Sequence, residues 1–537
     1  MVTEGAPNVG VERTTRDADH GVLNRKLPPM GKNSSPETLR LLLDTNVFIA
    51  VEPFEGAMES GLIRGATLVR LVAEQGHTLF VHPAIRDDLR EGREIRRRQQ
   101  RLAELNKYPM LQESRITTSL TQRAGASEEG SNNHRDLRLL ASLDGHAVTY
   151  LVTEDGPLRR RARRAGLGDA VLSVDEAIAL LEGLQPARLR PPPRVTEIPA
   201  YALDIDQRIF DSLRSDYGPE FDQWLDKVRA DFANRVCLIV EQDDEYAALA
   251  IIKNERDCDY QIAQPTLKVS TLKVAASYAG AKYGELLLKG IFMLAAHRKA
   301  ASLYVEIFPR IEVLVDLLET FGFQKSDYLT DRGELVMVKN LIPPADTSAY
   351  SPLTYHIRFG PPAILTAERS FVVPIIPKWH DQLFPDSPMR VRELEEMLPG
   401  MDIPSENHPF GNALRKAYLC NSNTDILESG DTLFFYRSHD VKAVATVGVV
   451  ESTLRSSDPQ EVMSFVGRRT VYRPDEISAM CRSVRGVLAI LFRQDRFIEP
   501  AWQLAELEAN GVLRAWPQTI VRVPPEGCRW LGQQLSA

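Results

Sequence analysis

Residues 39–46 read LRLLLDTN, and this stretch decides the fold of the N-terminal part of the chain. A short apolar run of this kind is typical of a strand that is buried on both faces, as in a parallel sheet. Similar runs occur at residues 79–81 and 150–153, with helical patterns between them that include an arginine-rich helix over residues 85–105. A polar stretch over residues 109–133 predicts a loop. The alternation of strand and helix patterns predicts a parallel α/β sheet.

The composition is that of a globular protein. The chain has 537 residues, of which 43% are hydrophobic and 26% are charged, and its net charge is -8. This balance excludes a disordered or collagen-like chain and a uniformly basic nucleic-acid coat, although an acidic protein can still carry a local basic site. The five cysteines include no C-x-x-C pair, so the sequence predicts no disulfide framework and no cysteine zinc site. The absence of a membrane-length apolar run and of a signal-peptide pattern predicts a cytoplasmic protein.

Four acidic residues stand at strand ends or in early helical turns of the N-terminal part: Asp44, Asp88, Asp136 and Asp155. Because ligands of a parallel α/β sheet gather at the carboxyl ends of its strands, we expect these side chains to converge. Carboxylates that lie together repel each other, and Mg²⁺ or Mn²⁺ is the natural compensating cation. Such a cation can activate water for attack on a phosphodiester. The alternative is that Asp136 and Asp155 only cap helices.

These motifs resemble those of the PIN-domain family of nucleases over about residues 39–185. The resemblance rests on the segment Asp44-Thr45-Asn46 after the apolar strand and on Asp88, Asp136 and Asp155 in their contexts. It implies a ribonuclease that holds Mg²⁺ or Mn²⁺ with the carboxylates of Asp44, Asp88, Asp136 and Asp155, and in which Asn46 or Thr45 orients the site. It also implies a homodimer. The sequence departs from the family at Asp88, where glutamate is more usual, and Asp87 is a neighbouring competitor for that role.

Two runs of arginine lie close in sequence to these acids. One run includes Arg96, Arg97 and Arg98, and the other run, which includes Arg160, follows Asp155 by about one helical turn. Arginine forks bind phosphates with two parallel hydrogen bonds, so both runs are candidates for RNA binding. The alternative is a solvated helix face whose arginines pair with nearby glutamates.

A second α/β part is predicted over residues 197–342. In it a strand over residues 267–274 leads through a loop of small residues into a helix over residues 284–297. The amides at a helix N-terminus bind phosphates, and glycine lets the backbone approach them closely. The pattern resembles the GNAT family of acetyl-CoA-dependent N-acetyltransferases. The resemblance implies that an acetyl-CoA site is lined by Val274, Gly280, Lys282 and Gly284.

The match to the GNAT pyrophosphate motif is incomplete. The family motif reads Arg/Gln-x-x-Gly-x-Gly/Ala, and in this chain Ala279 stands at the first position and Lys282 at the middle glycine, while Gly284 remains. The tyrosine that often serves as the general acid of the family is Leu318 here. Acetyl transfer is therefore predicted only as an alternative function.

Residues 350–537 are predicted to be β-rich. The segment GDTLFFYR at residues 430–437 is a glycine turn that enters an aromatic strand, and a second strand pattern follows at residues 443–451. These strands resemble the PUA-like superfamily, which includes ASCH and EVE domains, small β-barrels that often bind RNA. The resemblance implies base stacking, for which Arg437 and Phe435 are candidates.

The sequence thus predicts an α/β protein with an N-terminal PIN-like parallel sheet, a central GNAT-like domain and a C-terminal PUA-like β-barrel. Its predicted parts are a flexible arm over 1–38 and domains over 39–188, 197–342 and 350–537, with a stiff linker over 189–194. The leading hypothesis is a metal-dependent endoribonuclease. One alternative is an acetyltransferase that acts on RNA or protein, and the other is a non-catalytic RNA-binding regulator. A toxin role follows from family analogy alone.

Overall fold

The structure is a computed structural model. It describes residues 38–51, 62–91, 95–184, 192–256, 258, 260–397 and 408–536. The predicted arm over 1–38 and the predicted linker over 189–194 lie mostly outside the described residues. The described residues belong to one compact unit, Glu37–Ala537, and form three sheets. We call the parts built on these sheets lobe 1 (38–184), lobe 2 (192–342) and lobe 3 (343–536).

Lobe 1 is built on a four-stranded parallel sheet with the strand order β2-β1-β3-β4. Its strands are β1 (Arg40–Leu43), β2 (Thr78–Phe80), β3 (Tyr150–Val152) and β4 (Val171–Leu172). Its helices are α1 (Thr45–Val51), α2 (Leu62–Glu74), α3 (Pro83–Arg90), α4 (Ile95–Glu104), α5 (Thr118–Ala124), α6 (Asn132–Asp144), α7 (Gly156–Arg164) and α8 (Val174–Leu184). Every residue of β3 is buried, which confirms the predicted parallel sheet with two covered faces.

Two elements of lobe 1 differ from the expectation. The predicted helix over residues 85–105 is replaced by two separate helices, α3 and α4. The predicted loop over residues 109–133 contains helix α5, which begins after Thr117. The Thr117 side chain caps this helix, because it accepts a hydrogen bond from the backbone N–H of Leu120 at 3.0 Å. Threonine and serine are frequent in loops and in caps alike, so the polar composition of this stretch hid a short helix.

Lobe 2 is built on a seven-stranded sheet with the order β10-β11-β9-β8-β7-β6-β5. Its strands are β5 (Thr196–Pro199), β6 (Arg235–Gln242), β7 (Glu245–Glu255), β8 (Thr266–Val274), β9 (Ser302–Ile307), β10 (Gln324–Leu329) and β11 (Leu335–Asn340). Its helices are α9 (Asp211–Tyr217), α10 (Glu220–Ala230), α11 (Tyr283–His297) and α12 (Glu312–Thr320). The pair β8 and β9 is parallel, and α11 supplies the crossover that a parallel pair requires.

Lobe 3 is built on a six-stranded sheet with the order β13-β16-β15-β14-β12-β17. Its strands are β12 (Ser370–Ile375), β13 (Arg415–Cys420), β14 (Thr432–Arg437), β15 (Ala443–Ser456), β16 (Val487–Gln503) and β17 (Val521–Arg522). Its helices are α13 (Pro352–Phe359), α14 (Pro377–Leu383), α15 (Pro388–Met397), α16 (Pro459–Val466), α17 (Pro474–Cys481), α18 (Leu504–Ala509) and α19 (Pro525–Ser536). Among the described residues no strand pairing joins the end strands β13 and β17, so the predicted barrel is not confirmed.

None of the helices that the structure describes is both long and apolar enough to cross a bilayer. Buried apolar residues of lobes 1 and 3 belong to one continuous cluster, which includes Leu172 of β4 and Val466 of α16. Lobe 1 is therefore packed against lobe 3 through a shared core.

Candidate functional site

The four carboxylates predicted to bind a metal lie at the carboxyl edge of the lobe 1 sheet. Asp44 directly follows β1, and Asp155, which follows β3, is the N-cap of α7. Asp88 lies on α3 and Asp136 in the second turn of α6. The charges of Asp155, Asp44 and Asp88 all act on Asp136, so the fold brings the four side chains into one electrostatic group. We call these four residues the acid cluster.

Burial and mutual repulsion raise the proton affinity of the acid cluster. Asp44 is only 7% exposed, and its carboxylate accepts hydrogen bonds from the Thr153 hydroxyl at 2.6 Å and from the backbone N–H of Thr45 at 2.7 Å. Burial nevertheless raises the pKa of Asp44 to about 6, with a further contribution from the charges of Asp155 and Asp88. Burial and the neighbouring carboxylates raise the pKa of Asp136 to about 7. At neutral pH the protein alone does not keep the cluster fully ionised.

Asp88 and Asp155 also have hydrogen-bond partners. Asp88 accepts a hydrogen bond from the Thr45 hydroxyl at 2.7 Å and one from Arg135 Nη1 at 2.6 Å. Asp155 Oδ1 accepts from the backbone N–H of Leu158 at 2.7 Å, so Asp155 does cap α7. This bond uses only one of its two carboxylate oxygens, and a capping role does not exclude a role toward a metal.

The acid cluster fits a divalent cation only in part. Among the described residues, no group of three or more His, Cys, Asp or Glu side chains is placed to ligate a metal directly. Mg²⁺, however, usually keeps several water ligands and is bound through one or two carboxylates rather than by a complete protein cage. Carboxylate oxygens with raised pKa values fit a hard cation held partly through water. They do not fit a preformed, fully protein-ligated site.

Thr153, which was not among the predicted site residues, helps to orient the cluster. The Thr153 hydroxyl donates to Asp44 and also accepts from the backbone N–H of Asp155 at 2.9 Å, so it joins the two strand ends. The only sequence feature that pointed to Thr153 was its position directly after β3.

Asn46 is exposed, and its Oδ1 accepts from the backbone N–H of Glu154 at 3.4 Å. This bond links the start of α1 to the segment after β3, which suits the orienting role predicted for Asn46.

A cleft of about 630 Å³ opens beside the acid cluster, between lobe 1 and helix α12 of lobe 2. Its polar lining consists of Asn133, Asp136, Arg160, Arg161, Arg163, Arg164, Asp316 and Glu319. Arg161 is buried and donates to the backbone carbonyls of Ala124 and Gly125, so it supports the wall. Arg160 contacts Glu312 at 2.5 Å, Arg163 contacts Asp316 at 2.5 Å, and Arg164 is exposed. The cleft therefore combines a carboxylate of the acid cluster with several cations.

The other predicted RNA-binding arginines lie elsewhere. Arg96 is exposed on α4 and Arg97 and Arg98 are half-buried there, and the lining of the cleft does not include any of the three. The prediction for Arg437 is contradicted by its surroundings. Arg437 is 3% exposed, and its guanidinium is held by Asp440 at 2.7 Å and by Asp381 at 3.0 Å. A buried guanidinium that is paired in this way is not available to stack on a base.

The residues predicted to bind acetyl-CoA lie around the start of α11. Val274 ends β8, while Gly280 and Lys282 precede the helix and Gly284 is in its first turn. Gly280 has a φ of +83°, and a Cβ at this position would lie 2.6 Å from the backbone oxygen of Asp175 on α8. Helix α8 of lobe 1 is therefore in contact with the backbone of the loop.

Because the pKa of Asp136 is raised, Asp136→Asn should stabilise the metal-free protein at a pH where the wild-type carboxyl is ionised. At pH 8 the variant should have a higher free energy of unfolding than the wild type, by roughly 1–3 kcal/mol, because it removes a repelled charge. At pH 5 the carboxyl is neutral in the folded wild type but still ionised in the unfolded chain, where its pKa is the ordinary 3.8, so the gain should be smaller than at pH 8. Urea denaturation in EDTA at both pH values measures this. The exposed Asp222→Asn should show no such pH-dependent gain, and a gain at pH 5 as large as at pH 8 would contradict the repulsion.

No family model matches the chain, and no curated protein matches it. An ASCH protein from Zymomonas mobilis is similar over 31% of this chain and 94% of its own, with 13% identity and a TM-score of 0.22. The PaiA N-acetyltransferase from Thermoplasma acidophilum, in complex with coenzyme A, is similar over 27% of this chain and 98% of its own, with 13% identity and a TM-score of 0.22.

A GNAT family acetyltransferase from Elizabethkingia anophelis, with acetyl-CoA bound, is similar over 28% of this chain and 99% of its own, with 15% identity and a TM-score of 0.21. Solved structures similar to parts of the chain thus include an ASCH protein and GNAT acetyltransferases. Similarity at this level carries no conclusion about the activity of this chain. The PIN-domain resemblance, RNA binding and the homodimer stay predictions.

Proposed function

We propose that the acid cluster binds Mg²⁺ or Mn²⁺ and that the chain is a metal-dependent ribonuclease. The observation that carries this proposal is the convergence of four carboxylates from separate segments at one edge of the lobe 1 sheet. Burial and the charges of the neighbouring carboxylates raise the pKa of Asp44 and of Asp136, which agrees with this arrangement. A group of carboxylates that the protein alone cannot keep ionised is typical of a site that needs a cation. Asp136 also lines a cleft that contains arginines, and arginine favours phosphate groups.

The chain's own residues orient the cluster before any ion is present. Asp44, Asp88, Asp136 and Asp155 would hold the ion, which when bound supplies a Lewis acid and a water of lowered pKa. Thr153 and the amide of Thr45 fix the carboxylate of Asp44, and the hydroxyl of Thr45 fixes that of Asp88. The same threonine, Thr45, therefore positions two carboxylates. Such preorganisation reduces the cost of assembling the site.

The arginines of the cleft support a polyanionic substrate. Arg164 is exposed, while Arg160 and Arg163 are paired with Glu312 and Asp316 of α12. Their partners are surface carboxylates with at least a fifth of their side-chain area exposed, and such pairs are worth little in water. Phosphate groups that enter the cleft can therefore replace Glu312 and Asp316 as partners at small cost.

Manganese binding by Asp155→Asn tests the proposal most directly. Asparagine caps a helix about as well as aspartate, but it brings no charge to a metal. We expect Mn²⁺ affinity, measured by electron paramagnetic resonance of free Mn²⁺, to fall at least about tenfold. The melting temperature in EDTA should stay at the wild-type value. Unchanged affinity would leave Asp155 a cap only, and a wild type that binds no Mn²⁺ and cleaves no RNA would refute the proposed function.

A further inference from the structure

The carboxylate of Glu176 on α8 receives one cation from each lobe. Arg159 of lobe 1 lies 2.9 Å from Glu176 Oε2, and Lys282 of lobe 2 lies 3.0 Å from Oε1. Arg468 of lobe 3 also contacts Oε1. The backbone N–H of Ser173 donates to Oε2 at 3.0 Å. Burial opposes ionisation, but the charges of Arg468, Lys282 and Arg159 hold the pKa of Glu176 well below its usual range.

Lys282 is the residue that stands at the middle glycine of the GNAT-like motif. Its side chain is only 9% exposed, and burial lowers its pKa to about 8 while the charge of Glu176 opposes this effect. At neutral pH it therefore stays protonated as the partner of Glu176. Lys282 has a φ of 63° and is the N-cap of α11. Lys282, at the start of α11, is thus paired with a carboxylate of lobe 1, Glu176.

An acidic residue three positions after Lys282, Glu285, is paired with lobe 3. Glu285, in the first turn of α11, is 4% exposed, and its Oε1 accepts from Arg469 Nη1 at 2.7 Å. Its Oε2 accepts from the backbone N–H of Leu414 at 3.0 Å. Arg469 in turn contacts Asp169 of lobe 1 at 3.0 Å. Each of these contacts joins residues from two different lobes.

The backbone of the loop is covered as well. A Cβ at Gly280 would lie 2.6 Å from the Asp175 oxygen and 3.0 Å from the Ala179 Cβ, so α8 touches the loop directly. On the lobe 3 side, Asn412 Nδ2 donates to the backbone oxygen of Ala281 at 3.1 Å. An acyl-CoA pyrophosphate needs the same backbone to be open. Here the backbone is contacted by α8 at Gly280 and by Asn412 at Ala281.

We propose that the loop before α11 is an internal anion site that joins the three lobes, in which Glu176 takes the place of a ligand phosphate. The start of a helix and a lysine favour a negative charge, whichever group supplies it. In this chain the charge is a carboxylate that comes with α8. Lobe 2 thereby serves as a scaffold between lobes 1 and 3, and the loop does not bind acetyl-CoA. This inference is independent of the proposed nuclease function.

Calorimetric titration of the full chain with acetyl-CoA and with coenzyme A tests one half of the inference. We expect no saturable heat of binding for either compound. Saturable binding of acetyl-CoA to the wild type would overturn the proposal. Because this measurement uses the unmodified protein, it does not depend on the folding of any variant.

Glu176→Gln tests the other half, because glutamine keeps the shape of the side chain but removes the charge that the three cations share. We expect its melting temperature to fall by about 5 °C or more, and acetyl-CoA should not restore it. Glu182→Gln, on an exposed position of the same helix, is the matched control and should leave the melting temperature unchanged. A Glu176→Gln protein as stable as this control would also overturn the proposal.

Discussion

Asp44→Asn should abolish RNA cleavage in the presence of Mn²⁺, with a loss of about a hundredfold or more in the initial rate. Asparagine has nearly the same shape as aspartate, and its oxygen can still accept a hydrogen bond from Thr153. The fold should therefore persist while one anionic ligand is lost. The measurement is the rate at which a labelled single-stranded RNA is cut at saturating Mn²⁺, with EDTA as the metal-free reference.

Asp87→Asn is the control for this experiment. Asp87 is the sequence neighbour of Asp88, but its carboxylate is 39% exposed and is paired with Arg138 at 2.7 Å, away from the acid cluster. Its replacement should change the rate by less than about threefold, since it removes only a partly exposed ion pair. Cleavage that survives Asp44→Asn at the wild-type rate would remove the acid cluster from the reaction.

Arg469→Met should destabilise the protein by about 3–5 kcal/mol, because it removes a cation from the buried carboxylate of Glu285 and from the half-buried carboxylate of Asp169. The guanidinium of Arg469 is 4% exposed and bridges Asp169 of lobe 1 and Glu285 of lobe 2. Urea denaturation followed by circular dichroism measures the loss. Arg485→Met, which breaks an exposed pair with Asp425, should change stability by about 0.5 kcal/mol or less. Equal effects of the two replacements would contradict the strength assigned to the buried pair.

The destabilisation of Arg469→Met should also depend on pH. Although burial opposes it, the charge of Arg469 lowers the pKa of Glu285 to about 2, below its ordinary value of 4.5. A carboxyl group with a lowered pKa stabilises the fold fully above its ordinary pKa, and this contribution is lost as the pH falls toward the lowered value. The difference between the variant and the wild type should therefore shrink between about pH 4.5 and pH 2.

The sheet of lobe 1 and the convergence of its acids could be predicted because both depend on local sequence. A strand that is covered on two faces must be apolar throughout, and residues that follow such strands, like Asp44 and Asp155, meet at one edge of the sheet. The contribution of Arg135 could not be predicted in this way. Its partner Asp88 is 47 residues away in the sequence, and no local pattern connects the two.

Sequence patterns could not identify partners that come from other lobes or distant segments. Arg437 ends an aromatic strand and resembled a base-stacking residue, but Asp381, which pairs with it, is 56 residues away. The pairing of Lys282, at the start of α11, with Glu176 could not be predicted either, because Glu176 is 106 residues upstream. The long strand β16, which contains Arg493, was not predicted from the sequence. That arginine contacts Glu451 of the neighbouring strand β15 at 2.5 Å.

The shared carboxylate of Glu176 bears on how such a protein can change over generations. Its three cations are encoded far apart along one gene, at Arg159, Lys282 and Arg468. A recombination event that exchanges any one segment for a copy without its cation leaves this buried carboxylate with less compensation, which is costly. We therefore expect chimeras of such segments to be stable only when all three cations are kept.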